Sequence, residues 1–224
     1  MIWHSTDKED VLKQLETDTA RGLPAAVALT RLSTYGSNTL KGGKKVTFLT
    51  RFLKQLSDFM VIILLIAAAI SFLTTFISGE GNWVESVIIL AIVLINALIG
   101  ALQETRAENA LDSLKSMVAP SAKVRRDGVL RVISAKDLVP GDILELEAGD
   151  YIPADCRIIE SNTLRSDESA LTGESVPVEK EEGILDDITP LAERSNMLYS
   201  GCTVTCGHGL AVVTATGMNT EVGN

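Results

Sequence analysis

The chain has 224 residues, 46 % of them hydrophobic but only 4 % aromatic, and a formal net charge of −9 at pH 7. That length allows one or two domains, and the acidic balance argues against nucleic acid as a partner, because like-charged phosphates repel it. The charge is uneven: residues 1–58 carry a net +3, residues 59–105 a net −3 and residues 106–224 a net −9.

Thr6-Asp7-Lys8-Glu9 has a capping-box pattern ahead of Val11, Leu12 and Leu15 at helical spacing. A second short helix is predicted from near Pro24, through Val27, Leu29 and Leu32, to Gly36. Together they suggest a small helical cap over residues 1–45, whose last part, Ser37 to Lys45 with Gly42 and Gly43, reads as a loop. Val46 to Gln55 is amphipathic and basic and leads into an apolar run.

No charged residue lies between Phe59 and Gly79, nor between Ser86 and Gln103. Two runs, about 59–78 and 83–103, therefore approach the roughly 20 residues that cross a bilayer's hydrocarbon core. The competing reading is a buried hairpin in a soluble core, but FMVIILLIAAAISFLTTFI lacks the polar stripe such helices carry. The first run also starts too far along the chain for a cleaved signal peptide. Lys41, Lys44, Lys45, Arg51 and Lys54 precede the first span, and Arg106 and Lys115 follow the second, so both termini are expected in the cytosol. The connection from Gly79 to Asn82 is short, and Trp83 fits an interfacial anchor.

Beyond the second span, QETRAENALDSLKSMV keeps helical spacing, with Ala107, Ala110, Leu111, Leu114 and Val118 on one side, until Pro120 ends it. One helix from Trp83 to Met117 would be about 50 Å long and project into the cytosol as a stalk. The hairpin and stalk make up residues 46–119. After them come short apolar or alternating runs separated by turn signals: AKVRR, Asp127-Gly128, VLRVI, Pro140-Gly141-Asp142, ILELE, Gly149-Asp150 and CRIIE. Further strands are predicted at Met197 to Ser200, Gly201 to Val204 and Gly209 to Ala215. Residues 120–224 thus read as an all-β sandwich or distorted barrel.

Lys123, Arg125 and Arg126 read as a solvated hairpin edge. Cys156, Cys202 and Cys206 form no CxxC pair and are expected to be reduced and buried. Cys202 and Cys206 with His208 fit no strong zinc spacing, so no metal site is expected.

DESALTGESVPVEK, Asp167 to Lys180, stands apart. Thr172-Gly173-Glu174-Ser175 reads as a reverse turn in which Gly173 tolerates positive φ, while Pro177 keeps the next strand from pairing on one side. Glu174 then sits at a turn tip beside a glycine, where another surface could approach and where a carboxylate could position a water.

The two-span hairpin, the charged stalk and the series VPGDIL, GDYIPAD, DESALTGESVPVEK, NMLYSG and TGMNTEVG resemble the amino-terminal quarter of a type II P-type ATPase. The resemblance covers nearly the whole chain and is closest to the calcium pumps, bacterial, secretory-pathway and reticulum forms included. It implies a mixed fold of short amino-terminal helices, a transmembrane helical hairpin with a cytosolic stalk, and an all-β, distorted jelly-roll-like actuator domain. It also implies that Glu174 orients and partly deprotonates the water that attacks an aspartyl phosphate, with Thr172, Gly173 and Ser175 shaping the loop. One departure is Ser57, where reticulum calcium pumps carry a gating carboxylate just before the residue matching Asp58.

The 224 residues hold no DKTGT phosphorylation motif, nucleotide-binding domain or later spans. ATP and Mg²⁺ are therefore expected on other domains of the same pump, and these 224 residues alone are expected to be inactive. The partners implied are the lipid bilayer and those further domains, and the location a cell membrane if the source is bacterial. Two alternatives remain open at this point: a short non-catalytic membrane protein that docks with a pump and regulates it, and a pump for H⁺ or Na⁺.

Overall fold

A computed structural model describes residues 2–40, 47–78, 83–117 and 120–223. The chain divides into two compact units, Met1–Gly42 with Ala119–Asn224, and Gly43–Val118. The predicted loop at 41–45, the start of the amphipathic segment at Val46 and the connection at 79–82 lie outside the described residues.

In the first unit, helix α1 (Lys8–Gln14) is capped by Asp7, whose side chain accepts from the Glu9 amide at 2.9 Å. The cap is thus one residue later than a Thr6 capping box would place it, and the Thr6 hydroxyl instead donates to the Ile2 carbonyl at 2.9 Å. Helix α2 (Ala25–Tyr35) starts after Pro24 and stops at Gly36, as its sequence signals indicate.

The described strands form one antiparallel sheet: β1 (Ser121–Arg126), β2 (Val129–Ser134), β3 (Ile143–Glu147), β4 (Asp155–Asp167), β5 (Val178–Glu179), β6 (Met197–Leu198) and β7 (Thr203–Ala215). Its order is β2-β1-β3-β7-β4-β5, with β6 added to β4. Asp127 and Gly128 both have positive φ, 53° and 75°, the twist a two-residue hairpin needs between β1 and β2.

Two long strands, β4 and β7, form the spine. The sequence suggests a break between Val204 and Gly209, yet β7 runs through it, because register shifts between Asn162 and Arg165 bring the bulging β4 backbone against Gly207. Alternation then sorts the core. Ile143, Ile159 and Val212 pack with Val11 and Leu15 of the amino-terminal region, while Leu144, Ile158, Leu198 and Val213 belong to the larger cluster. The amino-terminal helices therefore cover apolar residues that the sheet alone would leave wet.

The basic hairpin residues are engaged. Arg126 forks onto buried Asp142 at 2.8 and 2.7 Å, Lys123 meets Glu147 at 2.7 Å, and Arg125 donates to the Thr19 carbonyl at 2.9 Å. Cys156 and Cys202 are buried, but Cys206, expected to be buried too, is exposed, where the register shift between Arg165 and Ser166 interrupts the alternation of β7.

Asp155, at the start of β4, is buried and accepts from the amides of Ser200 (2.8 Å) and Glu221 (2.7 Å). Burial disfavours its charge more than these amides favour it, and pushes its pKa up to about 6. The native state then keeps the proton to higher pH than the unfolded chain, whose aspartates titrate at about 3.9. Its contribution to stability is therefore full below about pH 4, declines as pH rises to about 6, and is constant beyond. Urea midpoints measured from pH 4 to 7 are expected to decline in the parent relative to Asp155→Asn; parallel curves would show that Asp155 titrates normally.

The second unit holds α3 (Phe48–Leu56), α4 (Phe59–Ser78) and α5 (Val84–Met117). The stretches Phe59–Ile77 and Val84–Leu111 are long and apolar enough to cross a membrane. Their apolar side chains are largely exposed, with Phe76 at 77 % and Ile77 at 74 %, opposite to what a core hairpin of a soluble protein requires. Small residues, Ala68, Ala97 and Ala101, are among the few buried ones, as suits close helix packing in lipid. Arg51 of α3 is buried and pairs with Glu108 of α5, and it also donates to Thr105 Oγ1 at 2.9 Å. Ser57 ends α3 with its hydroxyl on the Leu53 carbonyl, and the Asp58 carboxylate accepts from the Met60 amide at 3.0 Å at the head of α4.

Candidate functional site

The segment Asp167 to Lys180 is the excursion between two paired strands. Arg165 and Ser166 of β4 face Glu179 and Val178 of β5, and the Lys180 amide donates to the Leu164 carbonyl at 2.8 Å. Both arms of the loop therefore leave the sheet side by side.

Inside it the chain first makes one helical turn, α6 (Ser169–Thr172), where a plain reverse turn was expected at Thr172. Asp167 prepares that turn. Its carboxylate accepts from the Ser169 amide at 3.0 Å, and hydrogen bonds from Ser169 hold it below the ordinary aspartate range. The amide of Thr172 donates to the Glu168 carbonyl at 2.9 Å, and that of Gly173 to the Ser169 carbonyl at 3.0 Å. Gly173 then turns left-handed, φ 77° and ψ 1°, which ends the helix as a glycine C-cap does.

Thr172 carries a role its residue type does not announce. Its hydroxyl donates to the Glu168 carbonyl at 3.1 Å and accepts from the Glu174 amide at 3.3 Å, so it joins the helical turn to the residue after the glycine. Glu174 and Ser175 follow, both exposed, and Val176 beside them is 75 % exposed. The structure thus brings the four sequence-predicted site residues into one short segment, with the Glu174 carboxylate facing outward. A carboxylate so placed can accept a hydrogen bond from a water and take its proton if an electrophile is brought to it.

Two further residues went unassigned in the sequence. Glu168 and Lys180 stand where the loop leaves and rejoins the sheet, and Lys180 Nζ lies 2.5 Å from Glu168 Oε1 with the side chains 0 % and 1 % exposed. Burial raises the Glu168 pKa and lowers that of Lys180, each opposed by the partner's charge. The ammonium also donates to the Arg194 carbonyl at 3.4 Å and lies 5.8 Å from the centre of the Tyr199 ring. Acid and base lie on either side of a loop and not along one helix or strand, so no periodic signal marks them. Among the described residues no group of three or more His, Cys, Asp or Glu is placed to hold a metal ion.

The structure so far defines a class: two bilayer-length apolar helices joined in one chain to an antiparallel sheet domain that offers a carboxylate on a closed loop. The comparisons narrow it. Residues 116–224 match the sequence model of the P-type ATPase actuator domain, and residues 3–71 that of the cation transporter/ATPase amino terminus. Calcium-transporting ATPase 1 of Bacillus cereus is 44 % identical over 226 residues, covering 99 % of this chain and 25 % of the relative. The probable cation-transporting ATPase F of Mycobacterium tuberculosis is 42 % identical over 98 % of the chain and 24 % of its own length. The sodium/potassium exporting P-type ATPase cta3 of Schizosaccharomyces pombe is 37 % identical over 97 % of the chain and 21 % of its own length. The chain belongs to the P-type cation-transporting ATPases, and it spans about a quarter of the length of these relatives.

Proposed function

We propose that the chain serves as the amino-terminal portion of an ATP-driven Ca²⁺ pump, in which Glu174 positions the water that hydrolyses an aspartyl phosphate. The observation that carries this reading is the outward Glu174 carboxylate on a loop closed at its base. Attack on an acyl phosphate needs little covalent help from the protein but needs the nucleophile placed in line and relieved of its proton. Thr172 and Gly173 set the path of the loop, and Ser175 borders the carboxylate.

ATP, Mg²⁺ and the phosphorylated aspartate fall to further domains of the same pump. The hairpin at 46–119 anchors the chain in the bilayer with both ends in the cytosol, the amino-terminal helices of 1–45 cap the actuator domain, and residues 120–224 form that domain. Several relatives bear calcium-transporting names, from Bacillus cereus, Bacillus subtilis and Listeria monocytogenes, which supports Ca²⁺ as the ion.

The test is phosphorylation by labelled ATP in membrane vesicles holding the complete pump. Ca²⁺ is expected to stimulate formation of an acid-stable phosphoenzyme. Stimulation by Na⁺ or H⁺ alone would reassign the ion, and no phosphoenzyme with any cation would overturn the pump reading.

A further inference from the structure

Building on the Glu174 reading, we propose that the buried Glu168–Lys180 ion pair is the fastener of the Glu174 loop, which makes both of them positioning residues for the hydrolytic step. They are the last side chain before the helical turn and the first after β5, so their contact closes the loop at its base. The other ties there are short or exposed: the Lys180 amide bond to the Leu164 carbonyl, the Arg165–Glu179 pair with both side chains more than half exposed, and Leu171 packed against the core. The β4–β5 ladder comprises two residue pairs, α6 is a single turn, and the segment from Gly173 to Pro177 is exposed. Among the ion pairs of the described residues, this is the one with both side chains below 2 % exposure.

Folding alone gives weak reason for such a pair. Two charges must be stripped of water to form it, and two apolar side chains of similar volume would commonly hold a fold as well. What the charges add is a specific partner across the base of the loop. Lys180 also reaches the Arg194 carbonyl and the Tyr199 ring, so the loop is referenced to the chain segments beneath it.

The consequence for the reaction is geometric. A nucleophilic water held by Glu174 loses rate steeply when its holder wanders, since a misplacement of about 1 Å can cost about a hundredfold. Formation of the phosphoenzyme, which does not use this loop, should be untouched.

The experiment replaces the pair by apolar residues of similar length, Glu168→Met/Lys180→Met, in the complete pump, with Lys180→Met and Glu174→Gln alongside. The double variant keeps the fold free of an uncompensated buried charge, which the single variant does not. Hydrogen exchange is read at the amides of Leu171, Thr172 and Gly173, whose bonds to Glu168 and Ser169 belong to the loop. In the double variant these amides are expected to exchange about tenfold faster or more, while β4 and β7 keep their protection. Phosphoenzyme breakdown is expected to slow by about ten- to a hundredfold at an unchanged rate of formation.

Loop amides as protected as in the parent would overturn the fastener. Loosened amides with parental breakdown would overturn the positioning role and leave the Glu174 reading standing. Parental breakdown in Glu174→Gln would instead defeat the Glu174 reading, and the exchange result would then decide by itself whether the pair fastens the loop.

Discussion

In the complete pump, Glu174→Gln is expected to form phosphoenzyme at the parental rate and to lose it about 10²-fold more slowly or worse, the usual loss when a placed acid–base group is removed. The substitution is nearly isosteric and falls on an exposed side chain, so the fold has no reason to respond. The Thr172 hydroxyl would still accept from the amide at position 174, because that bond uses the backbone. What disappears is the negative charge and its capacity to take a proton. The measurement is a chase of labelled phosphoenzyme with unlabelled ATP. Accumulated phosphoenzyme with slow decay supports the role, and decay at the parental rate would remove Glu174 from it.

The second large effect concerns stability. Gly207 and Gly173 share a φ of 77°, so an alanine at either meets the same left-handed strain of about 1–2 kcal/mol. Their surroundings differ. A Cβ on Gly207 would lie 2.3 Å from the carbonyl oxygens of both Asn162 and Thr163, whereas on Gly173 it would meet nothing within 4 Å. Backbone cannot rotate away as a flexible side chain can, so Gly207→Ala must push the β4 bulge off β7 at an overpacking cost of about 1–3 kcal/mol more. Denaturant midpoints should therefore fall by the equivalent of about 2–5 kcal/mol for Gly207→Ala and of only about 1–2 kcal/mol for Gly173→Ala. Equal losses would mean that the close approach at Gly207 relaxes freely.

That same glycine explains one place where the sequence misleads. Thr-Cys-Gly-His-Gly, from Thr205, carries two glycines where a strand break is the natural reading, and only the partner strand reveals why they are there. The bulge at Thr163, itself at φ 48°, presses backbone against β7 and leaves room for glycine alone. Local signals fared better where the cause is local. Asp127-Gly128 announces its hairpin because both residues adopt positive φ readily, and the uncharged runs announce α4 and α5 because bilayer length and apolarity are properties of a single segment.

The site divides along the same line. Glu174 at a turn tip beside Gly173 could be anticipated, since a glycine and an exposed carboxylate are neighbours in the chain. The single turn of α6 is too short to show a period. The Glu168–Lys180 contact depends on two strands delivering their ends to one point, which no window of sequence contains.

The first unit is discontinuous, since its amino-terminal helices pack on a sheet whose strands come after the helical hairpin in the chain. Synthesis therefore delivers its parts far apart in time. Val11 and Leu15 emerge long before Ile143, Ile159 and Val212, which they contact in the finished fold. At about 5–20 residues per second, they wait roughly six to forty seconds for their apolar partners. The hairpin is made within that interval, so it is complete and free to enter a bilayer before the sheet domain can close.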